Sequence, residues 1–125
     1  MPFSYYNPNP TGKNVGDCTV RAVSKALNQS WEKSYVGLAL EGFILRDMPS
    51  ANAVWGSYLK KRGFKRKIVS DVCPDCYTLA DFALDNPSGV FVVALSEHVV
   101  CVLNGIVYDS WDSLNEFPLY FWYKE

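Results

Sequence analysis

The chain has 125 residues and a mass of 14.1 kDa, and its 12 Lys and Arg nearly balance its 13 Asp and Glu. This length predicts one domain, residues 1–125, that can fold without a metal or a disulfide. The 49% hydrophobic content excludes a disordered tail, and a net charge of −1 gives no general reason to expect nucleic acid or an anionic membrane as a partner.

The N-terminal 17 residues are rich in Asn, Pro and Gly and predict an extended or looped segment. They lack a basic start followed by an apolar stretch, so no signal peptide is indicated, and no apolar run approaches the ~18 residues of a membrane span. We therefore expect a cytoplasmic protein with reduced thiols.

Three helices are predicted in the first half of the chain. The first covers Cys18–Leu27, with Asp17 as its N-cap and Asn28 where it stops. The second is capped by Ser30, and the third covers about residues 51–62, with Ser50 as its cap.

The second half predicts a sheet with one short helix. The turn residues Asn104-Gly105 are a strong signal for a hairpin. Strands are expected at 64–69, 90–95, 98–103, 106–109 and 119–123, and a helix capped by Thr78 at 79–84. Helices followed by an antiparallel sheet predict an α+β fold.

Half of the basic residues lie between Lys60 and Lys67. This run could bind an anionic partner. A solvated helix end, where cations suit the helix dipole, is the simpler explanation, so nucleic acid is not our first choice of partner.

Cys18 opens the first predicted helix. Unpaired N–H groups and the positive end of the helix dipole both stabilise a thiolate there. The neighbouring Asp17 opposes this effect, because a carboxylate disfavours a second anion nearby. Taken alone, Cys18 is more simply a small buried apolar residue.

His98 is the only histidine and opens an apolar strand. Pairing about the Asn104-Gly105 turn sets position 98 opposite position ~111, so Asp109 lies one diagonal step away on the same side. A carboxylate against one ring nitrogen fixes the tautomer, so that the other nitrogen can accept a thiol proton. The order Cys18, His98, Asp109 therefore predicts a nucleophilic triad.

This arrangement resembles the papain-like cysteine peptidases, including small bacterial or phage members of that clan. There a helix begins with the nucleophilic Cys, and a His-apolar-apolar strand is followed by Asn-Ser-Trp. Residues 98–100 are His-Val-Val, and residues 109–111 are Asp-Ser-Trp, with Asp in place of Asn.

The resemblance implies a papain-like fold, a peptide or protein substrate, no cofactor and a thioester acyl-enzyme. It makes Cys18 the nucleophile, His98 the general base, and Asp109 the residue that orients His98. Trp111 would shield the imidazole–carboxylate contact. The family's oxyanion-binding Gln is missing before Cys18, and Asn14 is the nearest amide that could replace it.

Two other functional interpretations remain open. The same triad serves acyl transfer in transglutaminase-like enzymes, and an inactive papain-like relative could bind a protein partner. Cys73 and Cys76 form a CxxC pair, but tetrahedral zinc needs four ligands and no second paired motif exists. We therefore predict no metal site, and the sequence leaves the oligomeric state undetermined.

Overall fold

A computed structural model describes residues 2–69 and 76–124 of the chain. The helices there are α1 (Cys18–Leu27), α2 (Trp31–Leu45), α3 (Asn52–Lys60) and α4 (Leu79–Asp85). The strands are β1 (Phe3–Tyr5), β2 (Lys65–Ile68), β3 (Val90–Leu95), β4 (His98–Leu103), β5 (Ile106–Asp109) and β6 (Tyr120–Lys124). The predicted α+β class, with most helices in the N-terminal half, is confirmed.

The six strands form one sheet in the order β1-β5-β4-β3-β6-β2. Every neighbouring pair is antiparallel except β1 and β5, which run parallel. Val23, Leu38 and Trp55 of α1, α2 and α3 pack on one side of the sheet, around Val92 and Cys101. Residues of α4 pack in a second core with alternate positions of the same strands, so both faces of the sheet are covered.

The β4–β5 hairpin fixes the part of the sheet that matters most for function. Asn104 and Gly105 have φ angles of 51° and 79°, the left-handed pair that a tight two-residue turn requires. Cys101 is paired with Tyr108, which is the predicted register. The start of β4 therefore lies beside the end of β5.

Asp17 is the N-cap residue of α1, as predicted, whereas the predicted Ser50 cap of α3 is wrong. Asp17 precedes α1, but its side chain makes no capping hydrogen bond, because its carboxylate is bound by other side chains described below. The N-cap of α3 is Ala51 rather than Ser50, and it has no side-chain cap. The Ser30 and Thr78 caps are confirmed by hydrogen bonds to the backbone N–H groups three residues later.

Within the N-terminal segment, which was predicted to be extended or looped, residues Phe3–Tyr5 form strand β1. Its three residues pair with β5 from Val107 to Asp109, and the Tyr6 N–H also donates to the Asp109 carbonyl at 2.8 Å. None of the helices in residues 2–69 and 76–124 has the length and apolar character needed to cross a membrane.

Candidate active site

Cys18 is the first residue of α1, and its free thiol is partly exposed. The amide groups of the first helical turn have no intrahelical acceptor, and Asp17 does not cap them through its side chain. The Arg21 N–H is satisfied by the Asp17 carbonyl at 2.9 Å. The N–H groups of Cys18 and Thr19 have no acceptor among the described residues, so they could donate to a bound oxygen atom.

His98 reaches Cys18 from the sheet. It is the first residue of β4 and follows a two-residue turn in which Glu97 has a φ of 56°. Its side chain is 12% exposed, and Nε2 lies 2.7 Å from Oδ2 of Asp109. The imidazole also interacts with the Cys18 thiol, and this interaction raises the pKa of His98. Because Nε2 is engaged by Asp109, Nδ1 is the ring nitrogen available to sulfur.

Asp109 is the last residue of β5 and is 1% exposed. Besides His98, Oδ2 accepts the Ser113 hydroxyl at 2.8 Å, and Oδ1 accepts the Ser110 N–H at 2.7 Å. Nη2 of Arg21 lies 3.3 Å from Oδ1. Four donors therefore surround this buried carboxylate, which holds it ionised and fixes the oxygen that faces His98.

Arg21 is a site residue that the sequence analysis missed. It lies one turn after Cys18, is 5% exposed, and bridges Asp109 to Asp17, whose Oδ1 accepts Nη1. The other oxygen of Asp17 accepts Nε1 of Trp31 at 2.8 Å. The i, i+4 spacing of Asp17 and Arg21 was the available signal, but Asp17 was assigned to capping instead.

The two predicted supporting residues differ in their placement. The rings of Trp111 and His98 lie 4.9 Å apart between centroids with a 31° tilt, so the indole covers one side of the imidazole. Asn14 lies in the exposed loop before α1, and its side chain makes no hydrogen bond within the described residues. The contact supports the shielding role for Trp111, and the role of Asn14 stays a prediction.

The electrostatics of the site favour a charged pair. Burial acts to raise the pKa of Cys18, but hydrogen bonds with His98, the Val99 N–H and Thr19 outweigh it, so this pKa falls below its ordinary value of 9.0. Burial acts to lower the pKa of His98, but hydrogen bonds with Asp109 and Cys18 raise it to about 9. These directions stabilise thiolate and imidazolium together near neutral pH.

The pKa of Asp109 is shifted by the same contacts. Its burial acts to raise the pKa, while hydrogen bonds from His98 and Ser113 and the imidazolium charge lower it overall. The carboxylate therefore stays charged opposite His98 over the pH range in which the imidazole titrates.

Proton NMR can test this directly, because the chain contains one histidine. We expect the C2 proton of His98 to titrate with a midpoint near pH 9. Replacing Asp109 with Asn removes the carboxylate charge but leaves the burial, so the midpoint should fall by roughly 1–3 pH units. Asp112→Asn, at an exposed neighbouring carboxylate, is the matched control and should leave it unchanged. A native midpoint near 6.5 would contradict the geometry.

A groove of about 580 Å³ lies beside the start of α1, between the preceding loop and α2. Its lining includes Val15, Val20 and Leu38, together with the stacked rings of Trp31 and Tyr35, whose centroids are 5.1 Å apart. Gly16 and Thr19, on either side of the Asp17–Cys18 pair, also line it. The groove is thus a largely apolar depression that the sequence neighbours of Cys18 line, although Cys18 itself is not part of its wall.

The basic run between Lys60 and Lys67 lies away from this groove, at the end of α3 and on the edge strand β2. Lys61 pairs with Glu41 at 2.9 Å, and the Arg66 guanidinium lies 4.1 Å from the Tyr120 ring centre. These contacts fit the solvated-surface interpretation, and binding of an anionic partner stays a prediction.

The CxxC motif extends beyond the described part of the chain, because Cys73 lies outside it. Within residues 2–69 and 76–124, no group of three or more His, Cys, Asp or Glu side chains could hold a metal ion. Cys101 is a fully buried free thiol whose pKa is raised to about 12 by that burial. It is therefore chemically quiet, unlike Cys18.

Comparison of the chain with protein-family models, with curated proteins and with solved structures finds no match.

Proposed function

We propose that this chain is a papain-like cysteine hydrolase that cleaves peptide or related amide bonds. The observation that carries the proposal is the chain of contacts from the Cys18 thiol through the His98 imidazole to the Asp109 carboxylate. Helix α1 and strands β4 and β5 contribute one residue each, and the pKa directions of all three favour an activated thiolate.

The reaction follows from these contacts. The Cys18 thiol gives its proton to Nδ1 of His98, and the sulfur attacks the substrate carbonyl carbon while the carbonyl electrons move to oxygen. The N–H groups of Cys18 and Thr19 would stabilise this oxyanion. Collapse expels the amine, which takes the proton from His98 and leaves a thioester on Cys18.

Water completes the cycle. His98 removes a proton from the water molecule as its oxygen attacks the thioester carbonyl. The carboxylate product leaves, and the sulfur recovers the proton from His98. Asp109 keeps the imidazole in one orientation through both halves of the reaction and stabilises its charged form. The groove beside the start of α1, with Trp31 and Tyr35 in its wall, would hold an apolar part of the substrate.

Acylation of Cys18 tests this proposal. Peptidyl p-nitrophenyl esters with varied apolar side chains should release a burst of p-nitrophenol equal to the enzyme concentration and leave the acyl mass on Cys18. Cys18→Ala should abolish both signals. Cys101→Ala removes the buried thiol on β4 and is the matched control, which should keep both signals. The absence of any Cys18 adduct across the ester set would overturn the proposal.

A second measurement separates hydrolysis from acyl transfer. Added methylamine competes with water for the thioester, and the ratio of amide to acid product reports which acceptor is favoured. Acid as the main product supports the hydrolase proposal. Amide as the main product at low amine concentration contradicts it and supports a transferase.

A further inference from the structure

Helix α2 carries the most apolar exposed surface among the described residues. Val36, Leu40, Phe43 and Ile44, which we call the α2 stripe, are 55%, 58%, 70% and 61% exposed. Isolated exposed apolar side chains are normal on proteins, but a contiguous set of this size marks an interaction surface.

The stripe is a single face of the helix. Its positions follow the i, i+4, i+7, i+8 pattern, which places side chains along one side of an α-helix. The opposite side contains the buried residues Ser34, Leu38, Glu41 and Gly42, which face the rest of the domain. The close approach at Gly37, where an added Cβ would lie 2.6 Å from the Tyr58 ring, shows how tightly α2 is held against α3. The exposed face is therefore rigidly presented.

Each end of the stripe carries charges of both signs: Glu32 and Lys33 lie at its start, and Arg46 and Asp47 lie at its end. Lys33 lies one turn before Val36, and Asp47 follows the end of the helix. Both are exposed, and neither forms an ion pair with another described residue. Among the described residues, the Asp47 carboxylate accepts a hydrogen bond only from the N–H of Met48, at 2.8 Å.

We propose that the α2 stripe docks against the same stripe of a second copy of this chain, with the two helices antiparallel about a two-fold axis at Leu40. Such an interface is self-complementary: Val36 meets the partner's Ile44, and Lys33 meets the partner's Asp47 at each end. Opposed helix dipoles also favour this direction. A parallel arrangement would set Lys33 against Lys33 instead.

The surface at the end of α2 also fits this arrangement. A shallow depression of about 310 Å³ is lined by Gly42, Phe43, Arg46, Asp47 and Met48. In the antiparallel pair it lies opposite the first turns of the partner's α2. A membrane is disfavoured as the occupant, because the rim contains Glu32 and Asp47 as well as Lys33 and Arg46, whereas helices that lie on membranes have a basic rim.

Sedimentation velocity of the purified chain over a concentration series tests the proposal, which does not depend on the proposed catalytic function. We expect a monomer–dimer equilibrium. Leu40→Asp sets two carboxylates against each other at the axis and should weaken dimerisation by more than 100-fold. Leu84→Asp is the matched control, since Leu84 is 73% exposed on α4, and should leave the equilibrium unchanged. A native chain that stays monomeric at all concentrations overturns the proposal. If that monomer also binds phosphatidylcholine vesicles, the stripe contacts a membrane instead.

A charge exchange tests the antiparallel direction. Lys33→Glu or Asp47→Lys alone opposes like charges at both ends and should weaken the dimer by roughly 5-fold. The double variant restores the opposite signs and should return the dissociation constant to within ~2-fold of the native value. A double variant weaker than both single variants would overturn the antiparallel pairing. Circular dichroism and the His98 proton titration monitor folding in each variant.

Discussion

Alkylation of Cys18 by iodoacetamide should continue well below pH 9, and His98→Ala should slow it at neutral pH by roughly 10–100-fold. His98 is the main group that offsets burial of the thiol, so its removal leaves burial to raise the pKa of Cys18. An acid with a depressed pKa is ionised above that pKa, so the native rate falls only as pH drops through the lowered value. Site-resolved mass spectrometry across a pH series measures this.

The chain supplies its own controls for that experiment. Cys101 should stay unlabelled in the folded protein, because it is fully buried and its pKa is raised to about 12. Glu97→Gln changes an exposed residue next to His98 and should leave the profile unchanged. A Cys18 profile that follows an ordinary thiol, or one that His98→Ala does not alter, would contradict the activated thiolate and with it the hydrolase proposal.

Arg21→Met should lower the free energy of unfolding by about 3–5 kcal/mol, a large part of the ~5–15 kcal/mol of a typical domain. Arg21 is the cation between Asp17 and Asp109, and both carboxylates are buried. Without it, each carboxylate keeps some hydrogen bonds but loses the opposite charge that offsets its desolvation. Urea unfolding followed by tryptophan fluorescence measures the loss.

Two further variants separate the loss of the Arg21 ion pairs from the nonspecific effect of replacing an arginine. Arg46→Met removes an exposed arginine at the end of α2 and should change stability by no more than ~0.5 kcal/mol. Arg21→Lys keeps the charge but cannot span both carboxylates with a planar fork, so it should fall between native and Arg21→Met. Equal stability of all three proteins at position 21 would show that the buried network is not a source of stability.

The hairpin explains why much of the candidate site could be inferred from sequence. A two-residue turn at Asn104-Gly105 permits one pairing of the flanking strands, and that pairing brings Asp109 to His98. The start of α1 at Cys18 could also be predicted from neighbouring residues, because the apolar residues that follow it have helical spacing up to Asn28. Local sequence signals determine both the β4–β5 hairpin and the start of α1, so the residues at these two places could be predicted.

Contacts between residues that are far apart in the sequence could not be predicted from local signals. Strand β1 has three residues in a segment rich in Pro and Asn, and it exists because β5 offers a free edge. Arg21 was not predicted because one of its carboxylates, Asp109, is far away in the sequence, and the nearby Asp17 was interpreted only as a helix cap. Helix α2 misleads for another reason: its buried side includes Ser34 and Glu41, while its most apolar side is exposed, so its spacing does not reveal which face is buried.

The reactivity of Cys18 depends on a contact between distant parts of the chain. Cys18 begins α1 and His98 begins β4, and the pKa of the thiol is lowered only where these two residues meet. Folds with many contacts between residues that are far apart in sequence form slowly. We therefore expect a partly folded chain to contain an ordinary thiol, so the rate of Cys18 labelling at neutral pH during refolding should report when α1 packs against β4.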